Sequence, residues 1–131
     1  MLLVKTKLDV SHIHGIGLYA DDFIAEGTIV WKFNPVIDIW LRKEDIEGLS
    51  CAAREQIEKY SYRAQHTGLY ALCGDDARFF NHSADPNCFD ICHSIEEDLT
   101  IARRDIQKGE ELTCDYALFD MDLVEGIYKI G

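Results

Sequence analysis

Arg78-Phe79-Phe80-Asn81-His82-Ser83-Ala84-Asp85-Pro86-Asn87-Cys88 gathers an amide, an imidazole, a hydroxyl and a second amide into one proline-containing turn. Such a cluster can satisfy its own backbone or present several hydrogen bonds to a ligand, and taken alone it leaves both readings open. Toward the C-terminus, Lys108-Gly109-Glu110-Glu111-Leu112-Thr113-Cys114-Asp115-Tyr116 reads as a turn entering a strand that ends in Asp-Tyr. A tyrosine there is, by itself, a core or rim aromatic with its hydroxyl bonded nearby. Toward the N-terminus, His12-Ile13-His14-Gly15-Ile16-Gly17-Leu18-Tyr19 places two glycines around one residue, which permits a sharp turn or a close backbone approach to a ligand. A dinucleotide-binding fingerprint would need a third glycine, a following helix and strand-helix alternation elsewhere, and the chain has none of these patterns.

The segments between these stretches predict a mainly β domain. Apolar or alternating runs at Leu2–Leu8, Gly17–Ala20, Thr28–Phe33, Val36–Leu41, Leu69–Cys73, Cys88–Cys92, Leu99–Ala102 and Glu111–Cys114 read as short strands. Turn residues join them closely, as in Ala25-Glu26-Gly27 and Gln107-Lys108-Gly109-Glu110. Between Glu44 and Tyr62 the apolar residues Ile46, Leu49, Ala53, Ile57 and Tyr60 fall at helical spacing, which predicts one amphipathic helix. No internal repeat or low-complexity tract divides the 131 residues. A chain of this length buries roughly two-thirds of its unfolded surface, enough to fold without metal or disulfide support.

Charge narrows the partners. The net charge is −11, and residues 67–131 hold 14 of the 24 acidic groups against 5 of the 13 basic ones. A field of that sign disfavours nucleic acid and anionic membrane; it either attracts a cationic protein segment or serves solubility. The five cysteines are an odd number, and the opening Met-Leu-Leu-Val-Lys-Thr-Lys has too short an apolar run for a signal peptide. Nor does any apolar run approach the ~20 residues of a membrane span. The expectation is a soluble intracellular protein, in the nucleus if eukaryotic and the cytoplasm if bacterial. Cys88, Cys92 and His93 lie close together but lack a second ligand pair, so the cysteines read as small core residues on one strand face rather than as a metal site. A Cys-His hydrolase built from Cys88 or Cys114 with His82 has nothing but residue type in its favour.

In combination the three stretches resemble the SET-domain protein-lysine methyltransferases. The family's Gly-x-Gly is matched by Gly15-Ile16-Gly17, its Arg-Phe-x-Asn-His-Ser-x-x-Pro-Asn by Arg78 through Asn87, and its Gly-Glu-Glu-Leu-x-x-Asp-Tyr by Gly109 through Tyr116, in the same order and at matching spacing. The resemblance covers about residues 2–119 and implies a SET fold: several small curved β-sheets, a C-terminal pseudoknot and an inserted helix. It implies a single domain over 1–131, with 117–131 as a tail that closes the lysine channel, forms an interface with a second copy, or simply packs on the core.

The resemblance further implies S-adenosyl-L-methionine as cofactor and methylation of a lysine in a basic protein segment such as a histone tail. His14, Gly15, Ile16 and Gly17 would meet the cofactor through their backbone. Asn81 and His82 would hold its adenine and amino-acid ends, and Tyr116 would be the catalytic tyrosine beside the sulfonium. Phe33, Cys114 and Phe119 would line the substrate channel. Two departures matter. Phe33-Asn34-Pro35 stands where many members have Tyr-x-Gly, which removes a channel hydroxyl. Cys114 stands where many carry Phe or Tyr, which makes room for di- or trimethylation. The family's cysteine-rich segment has no counterpart after Tyr116. The rival reading is a non-catalytic SET-fold module that binds cofactor or a basic peptide.

Overall fold

A computed structural model describes residues 1–64, 67–92 and 98–115. Among these, ten short strands form four small sheets. Strands β1 (Thr6–Val10) and β2 (Ile16–Ala20) make an antiparallel hairpin, with Val10 opposite Ile16. Strands β3 (Ile29–Lys32), β9 (Asp98–Ala102) and β8 (Cys88–Cys92) form a three-stranded antiparallel sheet in that order. A second such sheet orders β4 (Ile39–Leu41), β6 (Tyr70–Leu72) and β5 (Ser61–Arg63). The fourth pairs β7 (Asn81–His82) in parallel with β10 (Thr113–Cys114).

The predicted strands are present, with edges moved by a few residues, and the mainly β architecture holds. Two strands carry no sequence pattern. One is β5, within the stretch expected to be helical; the other is β7, two residues long. The single predicted helix is corrected to two, α1 (Lys43–Glu47) and α2 (Cys51–Tyr60). The reason is local: Gly48 ends α1, and the hydroxyl of Ser50 accepts the Ala53 N–H to cap α2 anew. Of the predicted stripe only Ile46 is buried; Ala53, Ile57 and Tyr60 are half-buried and Leu49 is exposed.

The core lies where β2, β3, β8 and β9 converge on the Asp76–Phe79 turn, with Leu18, Val30, Cys88, Ile106 and Leu112 fully or almost fully enclosed. Chain 106–112 is laced to β2 and its neighbour: Ile24 and Ile106 exchange both backbone bonds, and Leu112 donates to Leu18 at 2.7 Å. The tight entry into that stretch uses Gly109, whose φ of 92° suits a residue without Cβ. Asp38, itself buried, ties the N-terminus down. Its Oδ2 accepts the Met1 α-amine at 2.7 Å and the Asn34 N–H at 2.9 Å, and its Oδ1 accepts the Gly74 N–H at 3.1 Å. No described helix is long and apolar enough to cross a membrane. Among the described residues no His, Cys, Asp and Glu group has the arrangement of a metal site. Tyr116, Phe119, the tail at 117–131 and the pseudoknot crossing beyond Asp115 lie outside the described residues.

Candidate functional site

The parallel pair β7–β10 brings the second and third motifs together, with Asn81 opposite Thr113 and His82 opposite Cys114. Ser83 extends the pairing, donating its N–H to the Cys114 carbonyl at 3.0 Å. The first motif arrives through Asn81, which is 3 % exposed. Its amide nitrogen donates to the carbonyls of His14 and Ile16 at 3.1 and 3.3 Å, to the Ser11 hydroxyl at 3.1 Å and to Glu111 Oε2 at 2.9 Å. Residues nearly 70 positions apart are thus joined by one side chain.

Glu111 is the other clasp. Its carboxylate accepts the Ser11 hydroxyl at 2.8 Å, and the Tyr19 hydroxyl lies 3.5 Å from Oε1 while donating to the Val10 carbonyl at 2.7 Å. The space it fills is that of a missing side chain: a Cβ on Gly17 would sit 2.6 Å from Glu111 Oε2. Gly15 has φ of 50° and nothing within 4 Å of where its Cβ would be, so the loop backbone is open there. Ser11 accepts the N–H groups of Ile13 and His14 and sets the shape of the turn. The loop of His14, Gly15, Ile16 and Gly17 is therefore clamped from behind by three side chains and open in front.

Asn87 has a different task. Its Oδ1 accepts the Thr113 N–H at 2.9 Å and its Nδ2 donates to the Glu111 carbonyl at 2.8 Å, so a buried side chain stands in for a neighbouring strand. His82 is half-exposed, with Nδ1 3.7 Å from the Asp115 carboxylate. Cys114 is buried, and burial pushes its thiol well above the usual range. Phe33 is partly buried, stacked on Trp40 at 4.9 Å between ring centres and edge-on to Trp31 at 6.4 Å.

Of the residues singled out in the sequence, His14, Gly15, Ile16, Gly17, Asn81, His82 and Cys114 meet around β7 and β10. Phe33 lies on the neighbouring sheet. Tyr116 follows Asp115 directly in sequence, outside the described residues together with Phe119. The amide nitrogen of Asn81 is engaged by protein acceptors. Sequence reading passed over Ser11 and gave Glu111 no role of its own. The trace of both was the side-chain-free Gly17, which leaves room for a partner.

Small sheets, a parallel β7–β10 pair and motifs converging on it define a family, and comparison with family models bears this out. The chain belongs to the SET-domain family, whose model matches residues 15–117. It is 30 % identical over 123 residues to human histone-lysine N-methyltransferase SETD1B, covering 86 % of this chain and 6 % of that protein. It is 32 % identical over 127 residues to the Drosophila melanogaster histone-lysine N-methyltransferase trr, covering 86 % and 5 %. The chain thus spans only about 6 % of the length of these curated relatives. The fold is shared with the humanized Chaetomium thermophilum Polycomb Repressive Complex 2 bound to the inhibitor GSK126, at TM-score 0.67 and 22 % identity over 93 % of this chain and 16 % of that one. It is also shared with a Plasmodium falciparum candidate histone methyltransferase, at TM-score 0.62 and 20 % identity over 88 % and 95 %.

Proposed function

We propose that this chain is an S-adenosyl-L-methionine-dependent protein-lysine N-methyltransferase acting on a basic protein segment such as a histone tail. The observation that carries the reading is the clasp itself. Asn81 and Glu111, from two motifs, hold the glycine loop of a third with its front face open at Gly15. The residues present fit a cofactor that is bound largely through backbone. The carbonyls of His14 and Ile16 are fixed by Asn81, and His82 keeps half its side chain exposed next to them in the fold. When bound, the sulfonium supplies an electrophilic methyl group.

The protein's own contribution is position and electrostatics, since a methyl transfer of this kind needs no covalent nucleophile. Asn81 orients the loop; it need not touch the cofactor through its amide nitrogen. Tyr116, which follows Asp115 in sequence, would supply its hydroxyl as an orienting dipole, and Asp115 itself pairs with His82. Phe33 and Cys114 form channel walls in which a lysine, with an ordinary pKa of ~10.4, is pushed toward its neutral form by desolvation. The small Cys114 leaves room for a second or third methyl group. The net charge of −11 draws the cationic segment in.

Incubation with radiolabelled S-adenosylmethionine and a panel of histones tests this directly. Wild-type protein is expected to label a histone, and Tyr116→Phe to reduce the label by on the order of 10²-fold or more. Calorimetry that detects no cofactor binding would refute the assignment. Cofactor binding with no transfer to any histone or other basic protein would favour a binding module instead.

A further inference from the structure

Strand β1 is an edge: β2 pairs with it on one side, and no described strand pairs with it on the other. Ladder parity decides which of its backbone groups are used. The Lys5 carbonyl accepts the Asp21 N–H at 2.9 Å and the Ser11 N–H donates to the Gly15 carbonyl at 2.8 Å, so Lys5, Lys7, Asp9 and Ser11 turn their backbone groups toward β2. The N–H and C=O groups of Thr6, Leu8 and Val10 therefore point away from it. Those of Val10 are covered, the N–H by the Asp9 carboxylate and the C=O by the Tyr19 hydroxyl, both at 2.7 Å. Those of Thr6 and Leu8 meet no backbone or side-chain partner among the described residues. Such an edge is a template for another strand.

The side chains along this edge alternate. Thr6, Leu8 and Val10 share the face on which Leu18 and Ala20 enter the core, whereas Lys5, Lys7 and Asp9 share the other. Toward the hairpin tip the apolar face is uncovered: Leu8 is 39 % exposed, Val10 75 %, and Ile16, opposite Val10, 51 %. On the polar face Lys7 and Asp9 are exposed, and neither has an ion-pair partner among the described residues. Neither a proline nor a bulge interrupts β1, so two of the usual devices against edge pairing are missing.

We propose that β1 pairs antiparallel with β1 of a second copy of this chain, about a twofold axis through Leu8, joining two hairpins into one four-stranded sheet. In that register Leu8 exchanges both backbone bonds with the partner's Leu8. Lys7 stands opposite the partner's Asp9, and Asp9 opposite the partner's Lys7, at non-hydrogen-bonded positions where facing side chains come closest. As Asp9 turns to the facing lysine it releases the Val10 N–H, which the ladder then uses against the partner's Thr6. Charge excludes the neighbouring registers. An axis through Lys7 or Asp9 sets like charges face to face, an axis through Thr6 sets Lys5 against Lys7, and an axis through Val10 sets Asp9 against Ser11. The twofold also puts both apolar faces on the same side of the joined sheet, so the uncovered Leu8 and Val10 gain apolar neighbours. The pairing holds the strand that runs into Ser11, whose hydroxyl shapes the His14 loop. It stands independently of the methyltransferase reading.

Sedimentation equilibrium of the full chain over ~0.01–1 mM, the range in which small interfaces dissociate, is expected to show a monomer–dimer equilibrium. Lys7→Asp and Asp9→Lys each bring like charges face to face, and each should weaken self-association by on the order of 10-fold or more. An equimolar mixture of the two variants should associate again, because the acidic edge of one then faces the basic edge of the other at both positions. Melting temperatures of the dilute variants, equal to that of the wild type, show that the fold itself is unaffected. Hydrogen exchange on the wild type reads the ladder without any substitution: the Leu8 amide should gain protection as concentration rises, while the Asp9 amide, already turned toward β2, should not change. A chain that stays monomeric across the range would overturn the proposal. So would a dimer indifferent to both charge reversals, or a mixture that associates no better than either variant alone.

Discussion

Gly17 and Gly74 are both closed to a methyl group, by different obstacles. At Gly17 the obstacle is the far end of Glu111, which can swing away and leave Ser11 and Asn81 without their carboxylate. Gly17→Ala should therefore cost about 1–3 kcal/mol, the worth of hydrogen bonds to a charged group. At Gly74 the obstacle is backbone: a Cβ would lie 1.9 Å from the Ile37 carbonyl oxygen, and that segment is already held by Asp38. Gly74→Ala is expected to reach or exceed the roughly 3 kcal/mol upper end of ordinary overpacking. Urea denaturation of the two variants checks the order. A Gly17 variant less stable than its Gly74 counterpart would contradict it. At this scale the sequence announced the glycine, histidine and asparagine of the site because their types are rare in such spacing. It concealed Ser11, whose part comes from what folds against it.

Among elements, β10 is the one whose hold is least ordinary. Two residues of parallel ladder are too few to fix a strand, and Asn87 supplies the missing edge with its side chain. Asn87→Ala should cost about 1–3 kcal/mol, because Thr113 N–H and Glu111 C=O are left buried without that partner. Hydrogen exchange gives the sharper readout: the Thr113 amide should lose protection before the amides of β8 and β9 do. Unchanged exchange at Thr113 would mean that the ladder alone suffices. Elements with alternation or turn punctuation were legible in the sequence, as β8 shows by matching its expected bounds. The pair β5 and β7 was not, because strands of two or three residues are defined by what they pair with. The break between α1 and α2 was visible only as Gly48 and Ser50 inside a helical stripe, where periodicity outweighed punctuation.

For the molecule as a whole, pH carries an unusual sign. The Asp90 carboxyl lies at about 7 in the folded protein, above its ordinary value near 4, so between those limits the native state binds more protons than the unfolded chain. Its contribution is favourable below about pH 4 relative to neutrality and is lost progressively as pH rises through 7. Asp90→Asn should accordingly raise stability more at pH 8 than at pH 5, measured by chemical denaturation at both. A variant equally shifted at both pH values would contradict the burial of the charge. Family and fold class were legible from three motifs and strand rhythm. The internal carboxylate was not, since one Asp among 24 acidic residues has no mark of its own until register places it against Thr100.

The parallel pairing of β7 with β10 also fixes when the site comes into being. Asn81 and Thr113 meet across a separation of 32 positions that contains β8 and β9, and Asn81 must then still find the His14 loop at the other end of the chain. Hairpins such as β1–β2 close locally and early, whereas contacts of this separation wait for loop closure. The clasp therefore shares its late formation with the equally long-range pairing of β3 with β9: a partly folded chain has local hairpins but neither the central sheet nor the clasp.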